Sequence, residues 1–335
     1  MTVPLLQAER VGRIYGGGLL GTAHTVALQD FSLSVGTGKP SITAVVGESG
    51  SGKTTLARLL LGLTPPTSGT IRYRGEDITR LSGASRRAYR TDIQAIFQDP
   101  YGVFNPFYRV DHVLTTPVRK FRLASSRSEA RTLIEQALRT VGLRPEEILG
   151  RYPHQLSGGQ RQRTMVARAL LLKPKIIIAD EPVSMVDASL RATILASLRR
   201  LTDELGISIL YITHDLATAF QVSDNIIVMY RATAVEAGRA DTVVQAPAHP
   251  YTRLLVGSIP QVSLTRDWLE TEPDVQRPDE RDAACRFADR CRFTMPICLT
   301  DRPPLSRIGP HHAAACHLHG EHAQLAAKDL NDVLA

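Results

Sequence analysis

The chain has 335 residues, of which 43% are hydrophobic and 22% are charged. This length is enough for one large domain and a smaller one, and the composition is ordinary for a globular protein, so global disorder is excluded. The formal net charge is +7. Because no dense basic run with interleaved aromatic residues accompanies this charge, we expect a solvated basic surface and no nucleic-acid site.

Membrane-spanning and secretory segments are not expected. No stretch approaches the roughly 18 consecutive apolar residues that a membrane span needs. The first ten residues lack a charged segment followed by an apolar one, so they do not resemble a signal peptide. We therefore expect a cytosolic chain that reaches a membrane only through partner proteins.

Short apolar runs in the first part of the chain predict strands and one helix. Phe31, Leu33 and Val35 alternate with polar residues, as in a half-buried strand. A loop is predicted from Gly16 to about His24, where glycines cluster. The run Ile42–Val46 predicts a buried strand, and Thr54 to about Leu63 predicts the helix that follows it.

The later elements continue this alternation. Residues 85–150 are mostly helical in pattern, and apolar residues between positions 190 and 201 recur at helical spacing. Two further buried strands are predicted at Ile176–Asp180 and Ile207–Thr213. Strands that alternate with helices favour a parallel sheet with crossover connections, which is an α/β fold.

A phosphate-binding loop is predicted directly after the first buried strand. The pattern G-x-x-x-x-G-K-[ST] is matched at every fixed position by Gly47, Glu48, Ser49, Gly50, Ser51, Gly52, Lys53 and Thr54. Backbone N–H groups of such a loop, and the helix start behind it, attract phosphate. Lys53 adds a positive charge for the β- and γ-phosphates, and the Thr54 hydroxyl is expected to bind Mg²⁺. Thr55 completes this part of the predicted ATP-binding set.

Two acidic residues end the second buried strand. A charge at the end of such a strand is costly unless it meets a cation. We expect Asp180 to hold Mg²⁺ through its water shell. Glu181 follows it, and there it can orient or deprotonate the water that attacks the γ-phosphate.

A second anion-binding helix start is predicted at Leu156–Gln160, which reads Leu-Ser-Gly-Gly-Gln. Ser157 can cap the helix, while Gly158 and Gly159 leave backbone N–H groups accessible. This segment lies more than a hundred residues from Lys53. Two phosphate-binding ends in one chain suggest a nucleotide shared between two subunits, one end supplied by each.

At this point the sequence resembles the ATPase subunits of ABC transporters, whose signature motif Leu156–Gln160 matches letter for letter. The resemblance covers nearly the whole chain, and further motifs follow in the right order. Phe97–Pro100 is similar to the Q-loop, and Ser184–Asp187 is similar to the D-loop, although Met185 and Val186 replace its usual alanine and leucine.

The resemblance also implies functional roles for single residues. Gln98 would contact Mg²⁺ and the attacking water, and His214 would contact the γ-phosphate. Glu181, His214 and Gln98 are then the catalytic residues. Tyr15 would stack on adenine, and Gln160 and Asp187 would join the ATP-binding set.

The implied fold is a RecA-like P-loop NTPase core with an antiparallel β-subdomain, an α-helical subdomain and a small cysteine-containing C-terminal module. We place the cassette at residues 1–260, with its helical subdomain at about 90–170. The remaining residues, 261–335, form the C-terminal module.

Two segments are similar to the oligopeptide/dipeptide importer branch. They are 247–252, which reads Pro-Ala-His-Pro-Tyr-Thr and is followed by Ser258–Pro260, and Phe97–Pro106, in which Val103 and Phe104 precede Asn105. The second segment is expected to face the membrane subunits.

The third match to this branch is a group of four cysteines, Cys285, Cys291, Cys298 and Cys316. Disulfides are not expected in the cytosol. Three alternatives remain open: a [4Fe–4S] cluster, which we favour because some related subunits hold one; zinc or another metal; and free thiols. We expect the nearby His311, His312, His317 and His319 to be solvated.

The resemblance implies an ATP- and Mg²⁺-dependent ATPase at the cytoplasmic face of the inner membrane, bound there through its partners. Those partners would be two integral membrane permeases, a second ABC ATPase subunit, identical or homologous, and an extracytoplasmic solute-binding protein. Nucleic acid is not among them.

Several alternatives remain open for the function. The solute is expected to be a di- or oligopeptide, but nickel, oligosaccharide or opine-like compounds are alternatives. An exporter ATPase, a soluble ABC ATPase that acts on nucleic acid and a P-loop kinase are less well supported. The chain has a single cassette and no long heptad repeat, which argues against the soluble ABC ATPase. The signature motif argues against the kinase.

Overall fold

The structure of the protein is a computed structural model. It describes residues 3–16, 24–99, 102, 104–184, 186–259, 284–325, 330–331 and 333–334. Some of the predicted segments lie outside the described residues: most of the loop before His24, Pro100 of the Q-loop, Val103, Met185 of the D-loop, Pro260 and the first part of the C-terminal module.

The strands, in chain order, are β1 (Leu6–Gly16), β2 (His24–Val35), β3 (Ile42–Val46), β4 (Ser68–Tyr73), β5 (Glu76–Asp77), β6 (Ile93–Ile96), β7 (Ile176–Asp180), β8 (Ser208–Thr213), β9 (Asn225–Tyr230), β10 (Thr233–Arg239), β11 (Ser306–Gly309) and β12 (His312–Ala314). The helices are α1 (Lys53–Leu60), α2 (Gly83–Asp92), α3 (Asp111–Phe121), α4 (Arg127–Thr140), α5 (Pro145–Ile148), α6 (Gly158–Leu170), α7 (Ala188–Leu205), α8 (Leu216–Val222), α9 (Ala240–Gln245) and α10 (Pro250–Gly257). Short 3₁₀ turns lie at Pro153–Gln155, Ala288–Arg290, Pro296–Leu299 and His317–His319.

The strands form two sheets in the described part of the chain. The smaller sheet has the order β2-β1-β4-β5 and is antiparallel throughout. The larger sheet has the order β11-β12-β10-β9-β3-β8-β7-β6. Its members from β9 to β6 are parallel, and β10, β12 and β11 are antiparallel additions at one edge. The predicted α/β class and the antiparallel subdomain near the N-terminus are therefore confirmed.

The central strands of the large sheet are buried on both faces. All five residues of β7 and all six of β8 are buried, and both strands are rich in isoleucine. Such runs suit a parallel sheet that is covered by helices on both faces. Residues of one face join the core beneath α3, α4 and α6, while those of the other face join the core of α1 and the small sheet.

The predicted strands Ile42–Val46 and Ile176–Asp180 are observed with the same bounds, and the third begins one residue later than predicted. The first helix differs more, because it ends at Leu60, and Leu63 is 62% exposed. The segment 85–150 is also less uniformly helical than predicted. It contains β6, which pairs with β7 in parallel and forms an edge of the large sheet.

The C-terminal segment is continuous with the large sheet. Strand β12 pairs with β10, so Ala313 and Ala314 are fully buried. The Asn331 side chain accepts a hydrogen bond from the Ser34 N–H of the small sheet (3.1 Å). Among the described residues, no helix combines the length and hydrophobicity that crossing a bilayer requires.

The buried carboxylate of Glu236 joins this segment to the rest of the chain. It accepts hydrogen bonds from the Ala248 N–H (2.9 Å) and the His249 N–H (2.8 Å), and it lies 2.7 Å from His312 Nε2. His312 was expected to be solvated, but it is only 7% exposed. A carboxylate with no solvent exposure needs hydrogen-bond partners. Glu236 on β10 therefore holds both His312 and the backbone at the start of α10.

Candidate functional site

The predicted site residues gather at one edge of the large sheet. Neighbouring parallel strands β3, β8, β7 and β6 all end there. The phosphate loop follows β3, Asp180 ends β7, His214 follows β8, and Gln98 lies two residues after β6. Ligands of open α/β sheets bind at the carboxyl ends of the strands, so the fold places these residues where a nucleotide would bind.

The phosphate loop is built around the buried Lys53 ammonium, which is 6% exposed. Its Nζ donates to the carbonyls of Gly47 (2.7 Å) and Glu48 (2.8 Å) and lies 3.3 Å from Ser51 Oγ. Burial lowers the pKa of Lys53, and the nearby carboxylates of Glu181, Asp180 and Glu48 oppose this change. The ammonium group is thus held inside the loop by backbone carbonyls.

Gly47 could not be replaced without moving the backbone. A Cβ there would lie 2.2 Å from the Met229 carbonyl oxygen on β9, and its φ is +158°. The first glycine of the loop is therefore required by the close approach of the neighbouring strand.

Thr54 and Asp180 meet beside the loop. The Thr54 hydroxyl donates to Asp180 Oδ1 over 3.4 Å, and burial raises the pKa of Asp180. Hydroxyl and carboxylate oxygens are ligands that suit Mg²⁺. Within the described ranges, no three or more His, Cys, Asp or Glu side chains are arranged to hold a metal ion. The remaining ligands of a magnesium ion here would be Gln98, phosphate oxygens and water.

Glu181 and His214 form a close pair. His214 Nδ1 lies 2.8 Å from each carboxylate oxygen of Glu181. Glu181 has a φ of +50°, a strained conformation for a residue with a side chain. Its N–H donates to the Ile212 carbonyl on β8 (2.8 Å), and its carbonyl accepts from the Ser184 hydroxyl (3.0 Å). These contacts fix the side chain at the mouth of the site.

The second predicted anion-binding end is a capped helix start. The Gln160 N–H donates to Ser157 Oγ (3.2 Å), and the Ser157 N–H donates to Gln160 Oε1 (3.0 Å), which is a reciprocal capping box on α6. A Cβ at Gly159 would lie 2.8 Å from Leu190 Cδ1 on α7. Gln162 Nε2 donates to the Phe97 carbonyl over 3.5 Å, so α6 also contacts the Q-loop segment.

The other predicted residues lie at the periphery. Tyr15 is half-buried on β1, and the Arg13 guanidinium lies 4.7 Å from its ring centroid. Gln98 is exposed, and Asp187 is exposed at the start of α7. Their side chains are available to a ligand.

The contacts of Glu48 in the phosphate loop were not predicted. The Glu48 N–H donates to the Tyr251 hydroxyl (2.9 Å), and the Glu48 carboxylate pairs with Arg290. Tyr251 lies in the importer-like segment 247–252. The sequence therefore identified the residue, but it did not predict the contact with Glu48. Nothing in the sequence pattern marked Arg290.

The four cysteines line one small pocket, together with His249 and Phe287 among others. Burial raises the pKa of Cys285 and raises that of Cys316 to about 11. The Cys285 N–H donates to the Cys298 carbonyl (2.9 Å), which brings two cysteine-bearing segments together. The described residues thus bring the thiols together, but not in an arrangement for a single metal ion.

Comparison with known proteins identifies the family. A family model described as "ABC transporter" matches residues 28–184, and one described as "Oligopeptide/dipeptide transporter, C-terminal region" matches residues 235–298. The putative oligopeptide transport ATP-binding protein YkfD of Bacillus subtilis is 36% identical and aligns over 95% of this chain and 96% of its own length. The oligopeptide transport ATP-binding protein OppF of Escherichia coli is 40% identical over 81% of this chain and 82% of its own.

The chain belongs to the ABC transporter ATP-binding family. It carries the C-terminal region of the oligopeptide/dipeptide branch, and it is an ATP-hydrolysing cassette of the ABC type. The ABC ATPase fold is also found in a solved dimeric structure of the ATP-binding cassette MJ0796, in a post-hydrolysis state with ADP and Pi. That structure has a TM-score of 0.62 and 27% identity over 70% of this chain and 98% of its own.

Proposed function

We propose that this ABC ATPase powers the import of di- and oligopeptides by closing as a dimer around MgATP. The observation that carries the peptide assignment is the match of residues 235–298 to the C-terminal region of oligopeptide/dipeptide transporters. Relatives that align over most of the chain bear the names of oligopeptide transport proteins. Nickel, oligosaccharide and opine-like solutes remain the alternatives, and an uptake assay separates them from peptides.

In the proposed mechanism the phosphate loop would bind the β- and γ-phosphates. Thr54, Asp180 and Gln98 would hold Mg²⁺, which would neutralise charge on the phosphates. Glu181 orients and deprotonates the attacking water, and His214 and Gln98 position that water and the γ-phosphate. The geometry that supports this is the Glu181–His214 pair at 2.8 Å. His214 Nδ1 would donate to the ionised Glu181 carboxylate, which leaves Nε2 facing away from it. Nε2 would donate to a phosphate oxygen when the imidazole carries a second proton.

We propose that a second ATPase subunit, identical or homologous, completes the site. Ser157 and Gly159 at the start of α6 would bind the γ-phosphate held by the partner's phosphate loop, and Asp187 would lie at the shared interface. The capped start of α6 supports this proposal, because helix N-termini bind anions. The MJ0796 cassette, to which this chain is similar in fold, forms a dimer in its solved structure.

The proposed membrane partners are two permeases, which would hold the chain at the cytoplasmic face of the inner membrane, and an extracytoplasmic binding protein would deliver the solute. Phe107 is 85% exposed and Tyr108 is 52% exposed, a short distance after the Q-loop. Exposed aromatic side chains are typical anchors of protein interfaces. They support a permease contact beside the nucleotide site, where ATP-driven closure would be transmitted.

The uptake of labelled solutes tests this proposal. Cells that lack the chain would be complemented with the wild type, with Glu181→Gln or with the matched control Glu204→Gln at an exposed position on α7. We expect di- and tripeptide uptake with the wild type and the control only. If peptide uptake is the same without the chain and nickel or oligosaccharide uptake is lost, the peptide assignment is wrong.

We further propose that the four thiols hold a metal centre, with [4Fe–4S] as the first candidate. The shared pocket supports a four-thiolate site, although binding would require deprotonation and rearrangement of the thiols. Anaerobic reconstitution with iron and sulfide, followed by absorption spectroscopy, tests this. The quadruple Cys→Ser variant serves as the control. Zinc binding or no binding by the wild type would favour one of the other two alternatives.

A further inference from the structure

The C-terminal segment forms an ion pair with the phosphate loop. Arg290 Nη1 donates to both carboxylate oxygens of Glu48, at 3.0 and 3.1 Å, across 242 positions of sequence. The two side chains are 31% and 44% exposed. The Arg290 guanidinium also lies 5.9 Å from the ring centroid of Tyr230 and 5.8 Å from that of Phe287. Stacking on two rings restricts the orientation of the guanidinium.

Glu48 is held at its backbone as well as at its side chain. Its N–H donates to the Tyr251 hydroxyl (2.9 Å), and its carbonyl accepts from Lys53 Nζ (2.8 Å). The Tyr251 ring packs against Tyr230 at 4.5 Å, measured between centroids. The second residue of the phosphate loop is therefore held by two residues that lie beyond position 250, Tyr251 and Arg290.

A second arginine of the same segment contacts a part of the chain that binds Ser51 of the phosphate loop. Arg286 donates to the carbonyl of Arg231 and to Gln29 Oε1. The next residue, Ala232, donates its N–H to the Ser51 carbonyl of the loop (3.0 Å). The five residues from Arg286 to Arg290 thus contact Glu48 of the loop and the segment that binds Ser51 of the loop. Cys285 and Cys291 flank these five residues.

The charge on Glu48 gives the contact with Arg290 a direct bearing on nucleotide binding. A carboxylate on a loop that receives a polyphosphate repels it, and a neighbouring cation cancels that repulsion. An ion pair as exposed as this one adds little to folding stability. Its effect on a charged ligand that binds the same loop can be larger than its effect on stability, because ATP brings several negative charges.

We propose that Arg290 is a positioning residue of the phosphate loop, and that through it the cysteine-bearing segment sets the affinity of the site for ATP. Arg290 neutralises Glu48 and fixes the position of its carboxylate beside the loop. This inference rests on the proposed role of Gly47–Thr54 in ATP binding. It adds a regulatory connection from the C-terminal segment to that site.

The test is a double-mutant cycle on the full-length chain, with Kd for a fluorescent ATP analogue and KM and kcat for ATP hydrolysis as readouts. The variants are Arg290→Met, Glu48→Gln, their combination and Arg290→Lys. Arg292→Met is the matched control, because Arg292 lies on the same segment and contacts the Phe293 ring. Melting temperatures of all variants show whether folding is affected.

We expect Arg290→Met to weaken analogue binding and raise KM about fivefold, with kcat within about twofold of the wild type. In the Glu48→Gln background the same substitution should change Kd less than about twofold. Arg290→Lys should restore most of the affinity, and Arg292→Met should bind as the wild type does. Melting temperatures should stay close to that of the wild type.

Two results would overturn the proposal. The first is an equal loss of affinity from Arg290→Met in both backgrounds, which would show that Arg290 does not act through Glu48. The second is unchanged affinity in Arg290→Met. The Lys53→Ala variant distinguishes these two results from an error in the proposed ATP-binding role of the loop. If Lys53→Ala binds the analogue as tightly as the wild type, the phosphate loop is not the ATP site at all.

Discussion

Replacing His249 by asparagine should remove much of the acid sensitivity of the fold. His249 is 2% exposed, and burial lowers its pKa from the ordinary 6.5 to about 4. Its neighbours have smaller effects: Glu236 raises the pKa, and His319 and Arg253 lower it. Nδ1 accepts the Tyr251 N–H over 3.0 Å and so caps α10 in the neutral form. A proton on Nδ1 would eliminate this acceptor.

The magnitude follows from the two pKa values. At pH 8 His249 is neutral in the folded and unfolded chains, so it adds no pH dependence. As the pH falls below 6.5, His249 binds a proton in the unfolded chain but stays neutral in the folded chain. The free energy of unfolding therefore decreases. This loss reaches about 2 kcal/mol at pH 5 and approaches about 3 kcal/mol below pH 4, where the folded chain is protonated too.

The assay is the free energy of unfolding of the wild type and of His249→Asn at pH 8 and pH 5. Asparagine supplies a capping oxygen that does not titrate. Any stability that the substitution costs through poorer packing should therefore be the same at both pH values. We expect the wild type to lose about 2 kcal/mol more than the variant between these pH values. His154→Asn, at an exposed position, is the control and should behave as the wild type. If the variant and the wild type lose the same free energy, the buried neutral histidine does not contribute as argued.

Three further predictions concern the nucleotide site. Glu181→Gln should lower phosphate release at least about 100-fold while ATP binding persists; phosphate release close to that of the wild type would exclude Glu181 as the base. Ser157→Ala should destabilise α6 by about 1 kcal/mol, measured by thermal unfolding, and Ser157→Asp should restore the cap; an unchanged melting temperature in Ser157→Ala would contradict this. Gly47→Ala should abolish ATP binding because its Cβ would lie 2.2 Å from the Met229 carbonyl oxygen. Gly50→Ala, where nothing lies within 4 Å, should cost only about 1 kcal/mol of backbone strain and serves as the comparison, so equal behaviour of the two variants would refute the argument.

The sequence alone was most informative where chemistry and local structure coincide. Strands β3 and β7 are short, mostly apolar segments rich in β-branched residues, so their bounds could be predicted without tertiary information. The phosphate loop and the Leu156–Gln160 motif specify backbone N–H groups at helix starts, which is a local requirement. Strand β6 was missed because only Ile93 and Ile96 are buried in it, and its conformation depends on pairing with β7.

The tertiary structure decided which distant residues meet. The sequence placed Lys53, Asp180, Glu181 and His214 at strand ends, and parallel pairing then brings those ends together, as the motif order implies. No periodicity predicts that Arg290 pairs with Glu48, or that Glu236 buries His312 and fixes His249. The His312 contact arises because β12 pairs with β10 at the edge of the large sheet. The Arg290 contact exists because its segment packs beside the phosphate loop. Local sequence encodes which element forms, whereas a contact between charged groups far apart in the chain exists only once the packing has brought them within reach.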